Sequence, residues 1–337
     1  MQNILVTGGL GYIGSHAVIS LISNNFHPII IDNLSNSRLD VLDKIERISG
    51  ITPKFFKGDI RDMEFLSNLF KLEKIDGVIH FAGLKDVSDS VRNPKKYFDV
   101  NVNGTKTLIK QLKKFDVKKI IFSSSATIYG EPKTLPIPES HPINAINPYG
   151  ENKVAVEYIL NDLCVHDDQW KATSLRYFNP IGAHPSGILG EIISKKTSNL
   201  MPHILNVALK KTSHLDIYGN DYDTKDGTGI RDYIHIMDLV DGHIAALLKL
   251  ENQKGHNVFN LGTGRGVSVL ELIEVFSKVT DQEIPYQFIE KRKGDLSESY
   301  ADPSKAEREL KWKAEKGLIE MCEDAFRWVC NEKSYKK

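Results

Sequence analysis

Charge of one sign is what this chain most clearly lacks: 44 lysines and arginines balance 44 aspartates and glutamates over 337 residues. Nothing in this balance suggests a polyanion such as nucleic acid as the main partner, although a few basic residues can still grip one diphosphate. Cysteine is scarce as well. Cys164, Cys322 and Cys330 are an odd, scattered set without metal-ligand spacing, which points to reduced thiols in a cytoplasmic protein rather than a disulfide framework. Cys322 and Cys330 suit the packing of a terminal helix. No apolar run approaches the length of a membrane span, and Met1-Gln2-Asn3 leads straight into a strand-like stretch, so neither a membrane anchor nor a signal segment is expected. The 11 histidines show no ligand pairing on one face, and the loop holding Asp221, Asp223 and Asp226 has no glycine at the mid-loop position that a calcium loop requires. No metal is expected.

What the chain does have is 41% hydrophobic content, enough for a substantial core, and a length that suits two domains. It opens on Asn3-Ile4-Leu5-Val6, then Thr7-Gly8-Gly9-Leu10-Gly11-Tyr12-Ile13-Gly14, then helical apolar spacing at Ile13, Ala17, Val18 and Leu21. Such a strand-to-helix turn sets unpaired backbone N–H groups and the positive helix end against a pyrophosphate. Gly8, Gly11 and Gly14 have separate tasks: a tight turn, close approach of backbone to phosphate, and close packing of helix on sheet. The G-x-x-G-x-x-G spacing is weak evidence alone, but a second strand, His27 to Ile31, ends in Asp32. A carboxylate there accepts from ribose hydroxyls and repels a 2′-phosphate, favouring NAD over NADP. Arg38 is the competing signal, and the alternative for Asp32 is a plain turn residue before Asn33.

Short apolar runs then alternate with helical patterns, at Lys54-Phe55-Phe56, Gly77 to Phe81, Lys119 to Phe122 and Thr173 to Tyr177. This alternation predicts an α/β fold with a doubly wound parallel sheet of Rossmann type, covered by helices on both faces. Ligand residues in such sheets gather beyond the strand carboxyl ends, where Asp59-Ile60, Phe81-Ala82-Gly83-Leu84-Lys85, Ser123-Ser124-Ser125 and Tyr177-Phe178-Asn179 fall. His80, late in one strand, reads as a packed core histidine. After about residue 180 the texture turns to loops rich in Gly, Pro, His and Asn. Residues 1–180 with about 236–263 are expected to form the dinucleotide domain, and 181–235 with 264–337 a second, smaller α/β substrate-binding domain.

Pro148 can start a helix that Val154, Val156, Ile159, Leu160 and Leu163 continue. On it, Tyr149 and Lys153 are four apart and share a face. A free phenol titrates near 10, and bringing it close to 7 takes about 4 kcal/mol, which Lys153 and a positive nicotinamide ring are expected to supply in large part. Tyr-x-x-x-Lys also arises in helices by chance; Ser125, at the end of a strand, makes the catalytic reading specific, since its hydroxyl can share a substrate proton with Tyr149. Ser123 and Ser124 read as backbone-bonding serines.

The glycine run, the segment Ser123-Ser124-Ser125-Ala126-Thr127-Ile128-Tyr129-Gly130 and the Tyr149/Lys153 pair resemble the extended short-chain dehydrogenase/reductase superfamily. Phe81 to Lys85, Leu175-Arg176-Tyr177-Phe178-Asn179-Pro180, Asn199-Leu200-Met201-Pro202 and Gly227 to His235 are similar to signatures of its UDP-glucose 4-epimerase family, and the similarity runs end to end. The resemblance implies a homodimer that retains NAD while a UDP-hexose is oxidised at C4, turned about its diphosphate tether and reduced on the opposite face. It implies Tyr149, Ser125 and Lys153 as catalytic residues. It implies a cofactor set of Gly8, Gly11, Tyr12, Ile13, Gly14, Asp32, Asn33, Asn36, Ser37, Asp59, Ile60, Phe81, Ala82, Gly83, Lys85, Asn101, Ser123, Tyr149, Lys153 and Tyr177. For the UDP-sugar it implies Lys85, Ser125, Thr127, Tyr149, Phe178, Asn179, Asn199, Leu200, Tyr218, Arg231, Arg292, Asp295 and Ser299, with the arginines neutralising the diphosphate and Asp295 accepting from the uridine ribose.

In Gly294-Asp295-Leu296-Ser297-Glu298-Ser299-Tyr300, Ser299 takes a position where members restricted to plain hexoses carry a tyrosine. A small residue there implies room for a 2-acetamido group and activity on UDP-GlcNAc and UDP-GalNAc as well; in a one-residue shift, Tyr300 would fill that space. Two other functions are weighed. A nucleotide-sugar 4,6-dehydratase needs an Asp-Glu pair where Ala126-Thr127-Ile128 stands, and a non-catalytic NAD- or nucleotide-sugar-binding regulator would not need Ser125, Tyr149 and Lys153 together.

Overall fold

The structure, a computed structural model, describes residues 1–193, 199–292 and 294–334. The chain divides into two compact units, the first built from residues 1–130, 143–176 and 240–259, the second from 131–142, 177–239 and the chain from 260 onward.

The first unit holds β1 (Asn3–Thr7), β2 (His27–Asp32), β3 (Lys54–Lys57), β4 (Gly77–His80), β5 (Lys119–Ser125) and β6 (Lys171–Tyr177). With the strand Gly255–Leu261 they make a seven-stranded sheet in the order Gly255–Leu261, β6, β5, β4, β1, β2, β3. The pairs from β3 through β5 are parallel, as the alternation of strand and helix patterns predicts. Ile4, Leu5, Val6, Ile29, Ile30 and Ile31 are all buried. Strands covered on both faces need such unbroken apolar runs, because neither side of the pleat meets water. Each such side chain contributes about 1.5–3 kcal/mol on burial. The strand order reverses between β1 and β4, and ligands bind beyond the carboxyl ends at such a switch point.

The helix Pro148–His166 begins where Asn147 accepts the Gly150 N–H at 2.9 Å, with Pro148 in its first turn, both strong start signals. Between Pro94–Phe98 and Gly104–Lys114 lies one π-helical turn, Asp99–Asn103. Such wide turns often mark functional positions.

The second unit packs the helices Leu200–Ala208, Val269–Thr280 and Leu318–Ser334 with short strands around Met201, Ile204, Leu272, Phe276, Cys322 and Trp328. Residues 131–142, read from sequence as part of the first domain, belong here. Ile137 is fully buried; its N–H donates to Tyr300 O at 2.9 Å, and its carbonyl accepts from Asp302 N and Asn260 Nδ2, each at 2.8 Å. Backbone pairing over that sequence distance leaves no local pattern to read. Residues 177–180, 236–239 and 260–263 fall in the second unit too: Asn179 N–H donates to Asp232 O, the Asp238 carboxylate accepts from the N–H groups of Glu315 and Lys316, and the Asn260 amide donates to Ile137 O. No helix among the described residues is long and apolar enough to cross a membrane.

Candidate active site

The glycine turn after β1 is shaped by contacts that admit no side chain. Gly8 has φ +70, and a Cβ there would lie 2.8 Å from Ala82 N; a Cβ at Gly14 would lie 2.2 Å from Gly8 O. Gly9 is equally confined, its Cβ position being 2.8 Å from Ile30 Cγ2, which the G-x-x-G-x-x-G pattern does not announce. Gly11 caps the helix Tyr12–Ser23 without a side-chain bond, and the first helical turn carries no acid. A bare, uncapped, positive helix end against a turn of Gly8, Gly9 and Gly11, with Leu10 packed into the core, fits a dinucleotide pyrophosphate.

Asp32 is buried at the end of β2. One oxygen accepts the Leu34 N–H at 2.9 Å and the Ser37 hydroxyl at 2.7 Å, the other the Leu10 N–H at 3.1 Å. It therefore organises both the glycine turn and the following loop, the turn role weighed for it from sequence. Arg38 is paired with Asp40 through Nε at 2.9 Å and Nη2 at 2.5 Å, so this competing signal for a 2′-phosphate is already occupied by a carboxylate. Asn33 Nδ2 donates to Asp59 at 2.9 Å, and hydrogen bonds from Arg61 hold the Asp59 carboxyl well below the usual carboxylate range. Ile60 is buried, and Asn36 is exposed in the loop after β2.

After β4, the side-chain amide of Asn101, in the π-helical turn, clamps the Leu84 peptide, accepting its N–H at 2.7 Å and donating to its carbonyl at 3.0 Å. That clamp fixes the loop Phe81-Ala82-Gly83-Leu84-Lys85. Lys85 Nζ lies 5.9 Å from the Tyr12 ring centroid. A buried polar chain backs the loop. The Thr105 hydroxyl donates to Asn101 O at 2.6 Å, so it must accept from His80 Nε2–H at 2.8 Å. Nδ1 of His80 then accepts from the Thr7 hydroxyl at 2.6 Å. Burial, with the nearby Lys153 charge, pushes the His80 pKa down to about 3. This is the packed core histidine of the sequence reading, with Thr7 and Thr105 as partners that no motif signals.

At the end of β5, the Ser125 hydroxyl accepts from Thr127 N at 3.2 Å and Thr127 Oγ1 at 3.0 Å. The Ser125 hydroxyl acts on the Tyr149 phenol in the direction that favours its ionised form. Lys153 Nζ donates to Ser123 O at 2.5 Å and sits 4.8 Å from the Phe122 ring centroid and 5.5 Å from that of Tyr149. Burial raises the Tyr149 phenol to about 12, with the Ser125 hydroxyl opposing, and lowers Lys153 to about 8, with Glu157 opposing. The sequence reading assigned the lowering of the phenol to Lys153 together with a nicotinamide ring. The ammonium donates to a carbonyl of β5 while standing 5.5 Å from the Tyr149 ring centroid, and the hydroxyl of Ser125 also favours the phenolate. Of the three serines, Ser123 supplies that carbonyl, while the Ser124 hydroxyl donates to Glu157 at 2.5 Å.

The second unit gathers the nucleotide residues of the sequence reading in pairs. Arg231 Nη2 donates to Asp295 at 2.7 Å, and the Arg292 guanidinium lies 3.6 Å from the Tyr218 ring centroid, a stacked arrangement. Arg231 and Asp295, read as separate contacts, are thus an ion pair. Tyr222, absent from the sequence reading, joins them through a 3.5 Å bond to Asp295. Asn179 sits on the strand Asn179–Ile181, in register with Tyr233. Phe178 is buried, and Asn199 is the N-cap of Leu200–Ala208. The strand Glu298–Ser299 pairs in parallel with Ile230–Arg231, setting Ser299 beside Arg231 and Glu298 beside Ile230. Paired residues share a face of the pleat, so Ser299 lies on the Arg231 side. Tyr300 lies on the other, where a Cβ at Gly266 would meet its ring at 3.0 Å and Ile230 at 2.5 Å.

A glycine-rich turn on a parallel sheet, with serine at a central strand end and Tyr-x-x-x-Lys on the following helix, defines the extended short-chain dehydrogenase/reductase class. Residues 5–325 match the family model described as GDP-mannose 4,6 dehydratase. A UDP-glucose 4-epimerase of Bacillus subtilis (strain 168) is 50% identical over 325 residues, covering 96% of each chain. A crystal structure of the UDP-glucose 4-epimerase from Stenotrophomonas maltophila, with bound NAD and formylated UDP-arabinopyranose, superposes with a TM-score of 0.97 at 42% identity, over 99% of this chain and 100% of that one. The Bifidobacterium longum enzyme with NAD+ and UDP gives 0.95 at 46% identity, over 98% and 99%. The chain belongs to the UDP-glucose 4-epimerase family.

Proposed function

We propose that this protein interconverts UDP-glucose and UDP-galactose through a transient 4-keto sugar, with NAD as resident cofactor. The observation that carries the reading is Tyr149 with the Lys153 ammonium 5.5 Å from its ring centroid and with the Ser125 hydroxyl favouring its phenolate, in the unit that also holds the glycine turn. NAD, when bound, supplies the hydride acceptor and a positive ring that favours the phenolate. Tyr149 removes and restores the O4 proton, Ser125 shares it, and Lys153 holds positive charge beside the phenol. Arg231, Arg292 and Tyr218 would hold the UDP, leaving the hexose free to present either face. After β5 the chain has Ala126, Thr127 and Ile128, so the carboxylate pair of a 4,6-dehydratase has no counterpart there.

Activity on UDP-GlcNAc and UDP-GalNAc is part of the proposal, supported by a buried serine on the Arg231 face and by the turn of Tyr300 away from it. A homodimer is proposed from exposed apolar residues on helices of the first unit, Val91 at 61%, Phe98 at 45%, Tyr158 at 65% and Val165 at 73%; sedimentation would measure it. A cytoplasmic location is part of the proposal, supported by three scattered cysteines without framework spacing. The direct test is incubation of purified protein with UDP-galactose and no added NAD. UDP-glucose is the expected product, and unchanged substrate would overturn the reading.

A further inference from the structure

Behind the serine strand lies a charged cluster that the proposed chemistry does not use. Glu157 follows Tyr149 and Lys153 at the same helical interval, so all three share one face of Pro148–His166. Its carboxylate accepts from Arg176 Nε at 3.1 Å and Nη2 at 2.7 Å, a forked pair, and from the Ser124 hydroxyl at 2.5 Å. Arg176 Nη1 donates to the Tyr129 hydroxyl at 2.9 Å, and the guanidinium lies 5.1 Å from the Tyr129 ring centroid. The Arg176 and Glu157 side chains are 5% and 7% exposed, and Tyr129 is fully buried.

A dry ion pair of this kind is a poor way to gain stability. Desolvation consumes much of the attraction, and well-packed apolar residues of similar size often serve as well or better. What the pair does provide is register. One helix face makes two contacts to adjacent residues of β5, Lys153 to the Ser123 carbonyl and Glu157 to the Ser124 hydroxyl, and the next residue of that strand is Ser125. It also provides sign. Around Lys153 stand Tyr149 and Glu157 from its own helix, His80 from β4, and Phe122 and the Ser123 carbonyl from β5, while Arg176 on β6 is held by Glu157. Of these Glu157 is the one carboxylate.

We propose that Glu157 is a positioning residue, which fixes the Ser125–Tyr149–Lys153 arrangement through Ser124 and keeps Lys153 an ammonium, with Arg176 and Tyr129 as its anchors. The inference deepens the epimerase reading and rests on it for its kinetic consequences. Burial already lowers Lys153 to about 8 against the opposing effect of Glu157, so loss of the carboxylate lowers it further and brings neutralisation into the working range.

Three variants separate this from a merely structural role. Glu157→Gln removes the anion, the double variant Glu157→Gln/Arg176→Met removes the pair while keeping an acceptor for Ser124, and Ser124→Ala removes only the strand contact. The readouts are melting temperature, kcat and KM for UDP-galactose across pH, and titration of Lys153 by NMR with labelled lysine, assigned through Lys153→Met. For the double variant the melting temperature should stay within a few degrees of wild type, KM within about twofold, kcat at neutral pH should fall about tenfold, and the alkaline limb and the Lys153 titration should both move down by about one pH unit. For Ser124→Ala, kcat should fall with KM and the Lys153 titration unchanged. A folded double variant whose pH profile and Lys153 titration coincide with wild type overturns the proposal, as does a Ser124→Ala enzyme with wild-type kcat should the double variant not fold. If wild type turns nothing over, the epimerase reading fails, and the NMR titration still decides whether Glu157 sets the charge of Lys153.

Discussion

Lys153 donates to the Ser123 carbonyl at 2.5 Å while its ammonium lies 5.5 Å from the centre of the Tyr149 ring. The cation is thereby fixed to the strand that carries Ser125 instead of following the phenol. Replacing Tyr149 by Phe should leave the fold intact and lower kcat by about 10²–10⁴-fold, the range for a lost general acid–base. Lys153→Met should also lower kcat by about a hundredfold, since the ring loses its positive neighbour. Steady-state turnover of UDP-galactose reads both, and a Tyr149→Phe enzyme at full speed would refute the assignment of the base.

Gly14 and Gly11 should answer differently to one methyl group. At Gly14 the Cβ would lie 2.2 Å from Gly8 O and 2.8 Å from Gly9 Cα, whereas at Gly11 the nearest neighbour is 3.3 Å away. Gly14→Ala should cost about 2–3 kcal/mol through overpacking and empty the purified protein of dinucleotide. Gly11→Ala should be much milder in stability. Urea unfolding and the dinucleotide content after purification compare the two, and equal losses would count against the packing account.

Ser299 stands beside Arg231 in the strand register. Ser299→Tyr should abolish turnover of UDP-GlcNAc while UDP-galactose is retained within a few-fold, because only the N-acetyl substrate needs the space. Equal effects on both substrates would show that the residue does not set the range.

His80 gives a pH signature. Its folded pKa of about 3 lies below the ordinary 6.5, so the unfolded chain binds the proton first. The associated stability is complete above about 6.5 and is lost as pH falls toward about 3, at about 1.4 kcal/mol per pH unit. His80→Gln should flatten the dependence by that amount between pH 6 and pH 4, as measured by urea unfolding. Parallel slopes for variant and wild type would refute the buried neutral histidine.

The chemistry of the first unit was largely legible because it is written in local patterns. The turn at Gly8 to Gly14, the acid closing β2 and the four-residue step from Tyr149 to Lys153 each depend on neighbours in sequence. The second unit was less legible. Its strands are as short as Ile230–Arg231 and Glu298–Ser299, too brief for any periodicity, and the pairing of Arg231 with Asp295 joins residues that no spacing relates. Glu157 was within reach of sequence, being the next step on the Tyr149–Lys153 face. What hid it was the absence of any sequence signal that its partners would be Arg176 and Ser124.

By itself the sequence determined the class of fold, the position of the glycine turn and the helical step that groups Tyr149 with Lys153, because helix and strand periods and glycine sterics act over a few residues. Tertiary structure decided where Lys153 directs its protons, that His80 stays neutral, that residues 131–142 pair with Tyr300 and Asp302, and that a buried Glu157–Arg176 pair backs the serine strand. Those outcomes depend on burial and on hydrogen bonds between distant segments, and desolvation exists only once the chain has closed around the group it affects.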